Sequence, residues 1–194
     1  KKWHNLFNRS DAFSIGGISI SDLGDLIRKE HQVLCILNSR NNVYQLYSYL
    51  RNFIDDGLYF LTTDLCPYHR SFIIGKKYGE IRKKLKEGKR CILISTSIVE
   101  AGLNVDFDPV FRERAGIDDE EQGKGRCNRH GIKDRGKFFT FNLVDGNSNQ
   151  VKYLNSKISA STEVRRLYLD KLYSLEAIEK YFEFYYSFNN IDSN

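Results

Sequence analysis

A segment rich in arginine and glycine in the second half of the chain has the composition of a phosphate-binding element. Gln122, Gly125, Arg126 and Arg129 follow the spacing QxxGRxxR. Hydrolysis of a nucleoside triphosphate builds negative charge on the phosphoryl oxygens, and arginine side chains neutralise that charge. We predict that the segment is helical, so that Arg126 and Arg129, three residues apart, share one helix face and can contact one triphosphate.

A second segment places hydroxyl side chains directly after the apolar run of residues 91–94. It reads Ser95-Thr96-Ser97 and continues to Gly102. Parallel sheets bind ligands at the carboxyl ends of their strands, and hydroxyls and backbone amides can donate hydrogen bonds to nucleic-acid phosphates. Taken alone, these hydroxyls would be ordinary helix N-caps.

Two shorter polar segments also follow apolar runs. Asn38-Ser39-Arg40 comes after residues 33–37, and a stretch from Thr62 to Arg70 that contains His69 comes after residues 58–61. Each one alone is typical of a turn that caps a helix. Because all these segments follow strands, they are expected at one edge of a single sheet, and this shared position favours a binding function.

The order of the elements predicts an α/β fold with a parallel sheet that is covered by helices on both faces. Short strands that are apolar throughout alternate with helical patterns, which is typical of such sheets. Strands are predicted at residues 33–37, 58–61, 91–94, 110–111 and 138–144, and helices at residues 20–27, 43–50 and 71–87 and from Asp118 onward. A capping pattern, Ser19 to Asp22, precedes the first helix.

Three regions are predicted along the chain. Residues 1–17 lack periodicity and end in Gly16-Gly17, which indicates an irregular N-terminal segment, and residues 18–147 form the α/β lobe. Residues 148–194 form a C-terminal α-helical extension of two helices rich in Tyr and Phe. An apolar stripe on the last helix is expected to pack on the lobe, and it comprises Ala177, Ile178, Tyr181, Phe182 and Tyr185.

Composition excludes several classes of protein. The chain has 194 residues, of which 41% are hydrophobic, and this is a globular composition. Thirty basic against 25 acidic side chains give a net charge of +5, which is compatible with a polyanionic partner. Four widely spaced cysteines form no CxxC pair, so free thiols in a reducing, cytoplasmic setting are expected. No apolar run approaches the roughly 18 residues of a membrane span, so no membrane partner is expected.

In this order, the segments resemble the second RecA-like lobe of superfamily 2 helicases. More narrowly, they resemble the CRISPR-associated helicase–nuclease of type I systems, the third Cas family. The resemblance runs from about Leu34 to Tyr186 and therefore implies a RecA-like parallel sheet. It rests on the strings NSRNN, TTDLCPYHR, STSIVEAGLNVDFD, FRERAGIDDEEQGKGRCNRHG and SLEAIEKYFEFYY.

The resemblance implies a role for each matching residue. Arg126 and Arg129 would be arginine fingers, Gln122 would position water or the γ-phosphate, and Gly102 and Asn104 would lie at the nucleotide. Contacts to the nucleic-acid backbone would come from Asn38, Ser39, Arg40, Thr62, His69, Arg70 and Thr96. The chain departs from the family at Asn104, where Asp is usual, at the acidic residues 119–121, and at Lys124, where a small residue is usual.

Other elements of an ATPase and nuclease are missing from this sequence. It has no GxxxxGK[ST] loop, no Asp-Glu motif after an apolar strand and only four scattered histidines, so no metal site is predicted. We expect that the chain, which starts at Lys1 and has no Met, is a piece of a longer protein. ATP and Mg²⁺ would be held mainly by a first helicase lobe, and the piece alone would not hydrolyse ATP.

The predicted function is therefore that of one lobe of an ATP-dependent DNA helicase in antiviral interference. The expected partners are single-stranded DNA, the first helicase lobe and nuclease domain of the parent protein, and a guide-RNA surveillance complex. Two alternatives stay open: a lobe of another superfamily 2 helicase that acts on DNA or RNA, and a catalytically idle nucleic-acid-binding module. The Cys-Pro-x-His-Arg element at residues 66–70 and the C-terminal Tyr-Phe motif favour the CRISPR-associated function over the first alternative, whereas Asn104 and the acidic run favour the second.

Overall fold

The computed structural model describes residues 9–75, 79–100, 104–146, 152–169 and 171–191. Within them, six strands form one sheet, and its helices flank both faces. The strands are β1 (Ser10–Ile18), β2 (Gln32–Ile36), β3 (Leu58–Leu61), β4 (Cys91–Ser95), β5 (Val110–Glu113) and β6 (Gly136–Leu143). The helices are α1 (Ile20–Ile27), α2 (Arg40–Arg51), α3 (Pro67–Ile74), α4 (Glu80–Lys86), α5 (Ile117–Lys124), α6 (Lys152–Leu167) and α7 (Leu175–Ile191).

The sheet is parallel throughout, in the order β1-β6-β5-β2-β4-β3. Its central strands are buried on both faces, which is why β2 and β4 are continuous apolar runs. Leu23 and Leu46 of helices α1 and α2 pack on one face, and Ile81 of α4 packs on the other. The predicted α/β class is therefore confirmed. The hydroxyl of Ser19 accepts a hydrogen bond from the amide of Asp22 at 3.1 Å, as the capping pattern predicts.

The prediction of an irregular segment over residues 1–17 is wrong from residue 10 onward. Residues 10–18 form the edge strand β1, which pairs in parallel with β6 and has a register shift between Ser14 and Gly16. The strand escaped sequence analysis because its side chains are largely exposed and its two glycines lie inside it. Phe13, for example, is 47% exposed. Residues 1–8 lie outside the described residues.

The single helix predicted at residues 71–87 is also wrong. Helix α3 ends at Ile74 with Gly75 as its C-cap, and α4 begins at Glu80 with Gly79 as its N-cap. Glycine is unfavourable inside a helix, and two glycines four residues apart therefore favour a break over continuation. Residues 76–78, which the prediction placed within this helix, lie outside the described residues.

The C-terminal helices α6 and α7 pack on each other and on α5. Ala177 and Tyr181 are fully buried in a cluster with Ile117 of α5. The other stripe residues, Ile178, Phe182 and Tyr185, are half-buried against the same cluster, so the predicted packing is confirmed. In the part of the chain that the structure describes, no helix combines the length and apolar character needed to cross a bilayer.

Candidate nucleotide and nucleic-acid interface

Three of the polar segments meet at the carboxyl edge of the sheet. The amide of Leu37 donates to the carbonyl of Ser95 at 2.8 Å, and the amide of Thr96 donates to the carbonyl of Leu61 at 3.1 Å. These two bonds join the loops that follow β2, β3 and β4. Sequence analysis predicted this shared edge, which is the place where parallel sheets bind ligands.

Side-chain bonds connect the loops that follow β2 and β3. The Arg40 guanidinium forms an ion pair with Asp64. The Tyr44 hydroxyl donates to Asp64 at 3.0 Å and lies 3.1 Å from the hydroxyl of Thr62. Thr62 is completely buried, so it lies beneath this surface and contacts Tyr44 instead of solvent. Arg40 is exposed at that surface.

The remaining candidates at this edge differ in how accessible they are. Both polar groups of the Asn38 side chain are bonded inside the protein, because Nδ2 donates to the Arg114 carbonyl and Oδ1 accepts from Arg112. The Ser39 hydroxyl accepts from the amides of Asn41 and Asn42 and caps α2.

Thr96 precedes the short 3₁₀ helix Ser97–Val99 without capping it. His69 is exposed, and Arg70 and Thr96 are half-buried.

The arginine residues do not lie on a common helix face. Helix α5 ends at Lys124, and residues 125–131, called the arginine loop here, continue without helical structure. Phe107 and Cys127 form an isolated parallel bridge, in which the Phe107 amide donates to the Arg126 carbonyl at 3.0 Å. Asn128 then takes a positive φ of 48°. The prediction of a helix through Arg129 is wrong because this pairing, and two glycines, end α5 early.

Asp106 fixes the far half of the arginine loop. Its carboxylate accepts hydrogen bonds from the backbone amides of Arg129 at 2.8 Å and His130 at 2.9 Å. Nδ1 of His130 lies 3.0 Å from the same carboxylate. A carboxylate that accepts two backbone amides defines the path of the main chain, and here it determines where the Arg129 side chain starts.

The two arginines have different environments. Arg126 is only 8% exposed, and its guanidinium donates to the backbone carbonyl of Glu100. Burial lowers the pKa of Arg126, and the nearby charge of Arg129 lowers it further. Arg129 is exposed and makes a long bond of 3.4 Å to the Gly125 carbonyl. Of these two side chains, Arg129 is therefore the one that is open to a ligand.

A cleft of about 340 Å³ lies beside the arginine loop. Its lining includes the cations Arg9, Lys124 and Arg129, together with Glu121. The Arg9 guanidinium donates to the Arg129 carbonyl at 2.5 Å, and Nζ of Lys124 lies 5.0 Å from the centre of the Tyr173 ring. Three cations around one cleft fit a polyphosphate better than a neutral ligand.

The other predicted nucleotide residues are only partly placed. Gln122 and Asn104 are exposed, and Gly102 lies outside the described residues. Among the residues that the structure describes, no group of three His, Cys, Asp or Glu side chains is arranged to hold a metal ion.

The acidic residues 118–121 bond α5 to the helical extension. Lys157 of α6 lies 2.7 Å from a carboxylate oxygen of Asp118 and 3.0 Å from one of Asp119. The Tyr181 hydroxyl of α7 donates to Asp118 at 2.7 Å. Asp118 and Asp119 are therefore part of a half-buried polar contact between α5 and the two C-terminal helices.

Four residues of this region were not predicted from the sequence. Arg112 of β5 and Glu100 form a buried ion pair with 3.0 Å between Nε and Oε1. The other two are Arg9 at the cleft and Asp106 beneath the arginine loop. The two charged residues that end the buried strand VFRE were the available signal for Arg112, because a charge in a buried strand needs a partner.

Sequence and structure comparisons identify relatives of the chain. A family model described as CRISPR-associated nuclease/helicase Cas3, C-terminal, matches residues 29–132. The CRISPR-associated nuclease/helicase Cas3 of Methanothermobacter thermautotrophicus (strain Delta H) is 31% identical over 117 residues, which cover 58% of this chain and 13% of that protein.

Solved structures share the fold. A crystal structure of a CRISPR-associated protein has a TM-score of 0.64 at 21% identity and covers 92% of this chain and 22% of its own. T. fusca Cas3 with ATP has a TM-score of 0.63 at 14% identity, and the match covers 82% of this chain and 22% of the T. fusca chain. The Mycobacterium smegmatis helicase Lhr bound to ssDNA and AMP-PNP has a TM-score of 0.54 at 16% identity, and the match covers 83% of this chain and 22% of the Lhr chain.

These structural likenesses, at such identities, establish the RecA-like fold of helicase lobes, and the chain spans less than a quarter of each of these relatives. The family model reaches further, because it contains both the loops of the carboxyl edge and the arginine loop. Since it matches more than half of the chain, this chain belongs to the family of the C-terminal region of the CRISPR-associated nuclease/helicase Cas3.

Proposed function

We propose that the chain acts as the second helicase lobe of an ATP-dependent DNA helicase–nuclease in antiviral interference. The observation that carries the proposal is the position of Arg129. Its side chain is exposed, its backbone is fixed by Asp106, and it lines a cleft together with Arg9 and Lys124. This is the arrangement that an arginine finger needs, because a fixed cation must face the triphosphate from a neighbouring lobe.

In this function the chain supplies positive charge, and ATP with Mg²⁺ is held mainly by the first helicase lobe. Arg129 neutralises charge that develops on the phosphoryl oxygens, and Gln122, exposed near the end of α5, orients water or the γ-phosphate. Arg126 joins Arg129 only after its bond to the Glu100 carbonyl breaks. Gly102 and Asn104 are proposed nucleotide neighbours on the strength of the family resemblance.

The carboxyl edge of the sheet is proposed to bind the backbone of single-stranded DNA. Ser39, Arg40, His69, Arg70 and Thr96 are the accessible or half-buried side chains there. Asn38 and Thr62 hold the surface in place through their internal bonds. Contacts to phosphate and sugar carry no sequence information, so binding is expected to be independent of base sequence.

The partners in the complete protein would be the first helicase lobe, the nuclease domain and a guide-RNA surveillance complex, in the cytoplasm. Two of the structural relatives carry ligands of the proposed kinds. The helicase Lhr is bound to ssDNA and AMP-PNP, and T. fusca Cas3 is bound to ATP. These complexes support a nucleotide and a nucleic acid as ligands of the proposed lobe.

ATP turnover by the full-length protein that carries this lobe tests the proposal. Arg129→Ala and, separately, Arg126→Ala should lower turnover with saturating single-stranded DNA by about 10³-fold or more, because a finger contributes that much where it is fully used. Arg166→Ala is the matched control, since Arg166 is exposed and pairs with Glu163 on the same helix, α6.

Three results would contradict the proposal. Wild-type turnover by both finger variants would reject the arginine assignment, and the absence of any turnover in the wild-type protein would favour an idle binding module. Stimulation by RNA but not by DNA would assign the lobe to another branch of superfamily 2.

A further inference from the structure

A chain of buried polar contacts runs from the carboxyl edge of the sheet to Arg126. Its centre is Arg112 of β5, which is 2% exposed. Nη1 of Arg112 donates to Oδ1 of Asn38 at 2.6 Å and to the Glu113 carbonyl at 3.0 Å. Its Nε lies 3.0 Å from Oε1 of Glu100. One guanidinium therefore contacts both the loop after β2 and the segment after β4.

The chain of contacts continues at both ends. At one end, the Asn38 amide donates to Glu113 at 2.8 Å, and its side chain donates to the Arg114 carbonyl at 2.7 Å. Asn38 is thus held in place directly before Ser39 and Arg40. At the other end, the carbonyl of Glu100 accepts from the guanidinium of Arg126.

Arg126 is only partly satisfied in this position. Its Nε atom is buried and has no hydrogen-bond partner among the residues that the structure describes. In the structure this side chain bonds to Glu100 inside the lobe. The proposed function also needs a second arrangement, in which the side chain contacts a triphosphate outside the lobe.

The central ion pair is not explained by stability. Burial raises the pKa of Glu100 to about 7, although the charge of Arg112 acts in the opposite direction. Burying two charges costs more than burying apolar side chains of similar volume, so apolar replacement of such a pair is often neutral or stabilising. Stability alone therefore does not require that both of these residues be charged.

We propose that Arg112 and Glu100 are positioning residues that couple nucleic-acid binding at the loop of Asn38 and Arg40 to the placement of Arg126. The proposal rests on the proposed helicase function. A strand that binds this loop changes the position of Asn38, and Arg112 transfers the change to Glu100. The Glu100 carbonyl then releases or retains Arg126, so that the finger reaches the triphosphate only when a strand is bound.

The test uses the full-length protein with three variants: Arg112→Met, Glu100→Met and the double variant. Each single variant leaves a buried charge without its partner and is expected to unfold at a lower temperature. The double variant removes both charges, and its melting temperature should return most of the way to that of the wild-type protein. Leu46→Ala is the control, because Leu46 is fully buried against the opposite face of the sheet and its truncation lowers stability without touching this network.

The measurements are ATP turnover with saturating single-stranded DNA, the DNA concentration that gives half-maximal turnover, and amide hydrogen exchange of residues 126–130 with and without DNA. In the double variant we expect DNA-stimulated turnover to fall by about 5- to 30-fold, as coupling residues typically do, with little change in half-saturation. DNA should alter exchange of the arginine loop in the wild-type protein and not in the double variant. Leu46→Ala should keep both DNA responses.

A double variant that regains its melting temperature and is stimulated like the wild-type protein would overturn the coupling role. So would a loss of stimulation in Leu46→Ala of equal size, because the effect would then follow stability. A wild-type protein whose turnover does not respond to DNA would reject the proposed function itself, which is a different result from either of these.

Discussion

Both carboxylate oxygens of Glu120 lie 2.5 Å from the same Nη2 atom of Arg165, which bonds helix α5 to helix α6. Glu120 is completely buried, and it also accepts from the Tyr173 hydroxyl at 2.9 Å and from the Ala115 amide at 3.2 Å. Helix α5 leads directly into the arginine loop. The C-terminal helices therefore determine the orientation of the helix from which the arginine loop departs.

Removal of either member of this pair should destabilise the chain. Arg165→Met leaves the Glu120 carboxylate buried without its counter-ion, which typically costs about 3–5 kcal/mol in the free energy of unfolding. Denaturant unfolding of the chain measures the loss. Arg166→Met, one residue away on the exposed side of α6, should change the free energy little, and an equal loss there would argue against a special role for the buried pair.

Asp106→Asn should loosen the arginine loop. In the carboxylate, Oδ1 accepts from the amide of Arg129 and Oδ2 accepts from the amide of His130. An asparagine replaces one of these oxygens by an NH2 group, so one of the two amides would face another donor. We expect faster amide hydrogen exchange at these two residues and slower ATP turnover by the full-length protein. Asp56→Asn is the control, because Asp56 is exposed and pairs with Lys84, which does not belong to the arginine loop. Unchanged exchange at both amides in Asp106→Asn would contradict the assigned role.

The burial of Glu100 predicts a specific dependence of stability on pH. Its pKa rises from an ordinary value of 4.5 to about 7 in the folded chain. Between these values the folded state binds more protons than the unfolded state, so the stability contributed by the protonated form is complete below about pH 4.5 and decreases until about pH 7.

The loss should reach up to about 3 kcal/mol in the free energy of unfolding, since one unit of pKa corresponds to about 1.4 kcal/mol. Glu100→Gln removes the titration and leaves the other groups, including Glu113, whose pKa burial also raises. The difference between wild-type and variant unfolding free energies should change over this pH window. A constant difference from pH 4 to pH 8 would show that the pKa of Glu100 is the same in the folded and unfolded chain.

Salt titration of single-stranded DNA binding distinguishes the two basic surfaces of the lobe. Thr96→Ala and Arg70→Ala should weaken binding, because both residues belong to the carboxyl edge. A Lys83→Ala/Lys84→Ala double substitution on α4 should matter little, since Lys84 already pairs with Asp56 at 2.7 Å.

The salt dependence should be shallow, with a slope of about −0.7 for each phosphate that is neutralised. The reverse ranking of the variants would move the DNA path to α4. Variants at both sites with undiminished binding would place the path elsewhere on the lobe.

The sequence by itself determined the fold class and the chemistry of the candidate site. A short apolar run between turn signals is typical of a strand, and β3 has the bounds that this pattern predicts, Leu58–Leu61. The position of the polar segments after their strands follows from the parallel sheet, because all strands end at the same edge. The strings quoted for the family were also sufficient to identify it.

The tertiary structure alone decided what each polar side chain contacts. Arg126 and Arg129 are the same residue type, yet one is buried against Glu100 and the other is exposed at the cleft. Asp119 and Glu120 of the acidic run, which departs from the family pattern, are explained by Lys157 and Arg165, residues that are distant in sequence. Local patterns encode periodicity and burial, whereas the partner of a buried charge comes from another part of the chain, and only the packing of the elements brings the two together.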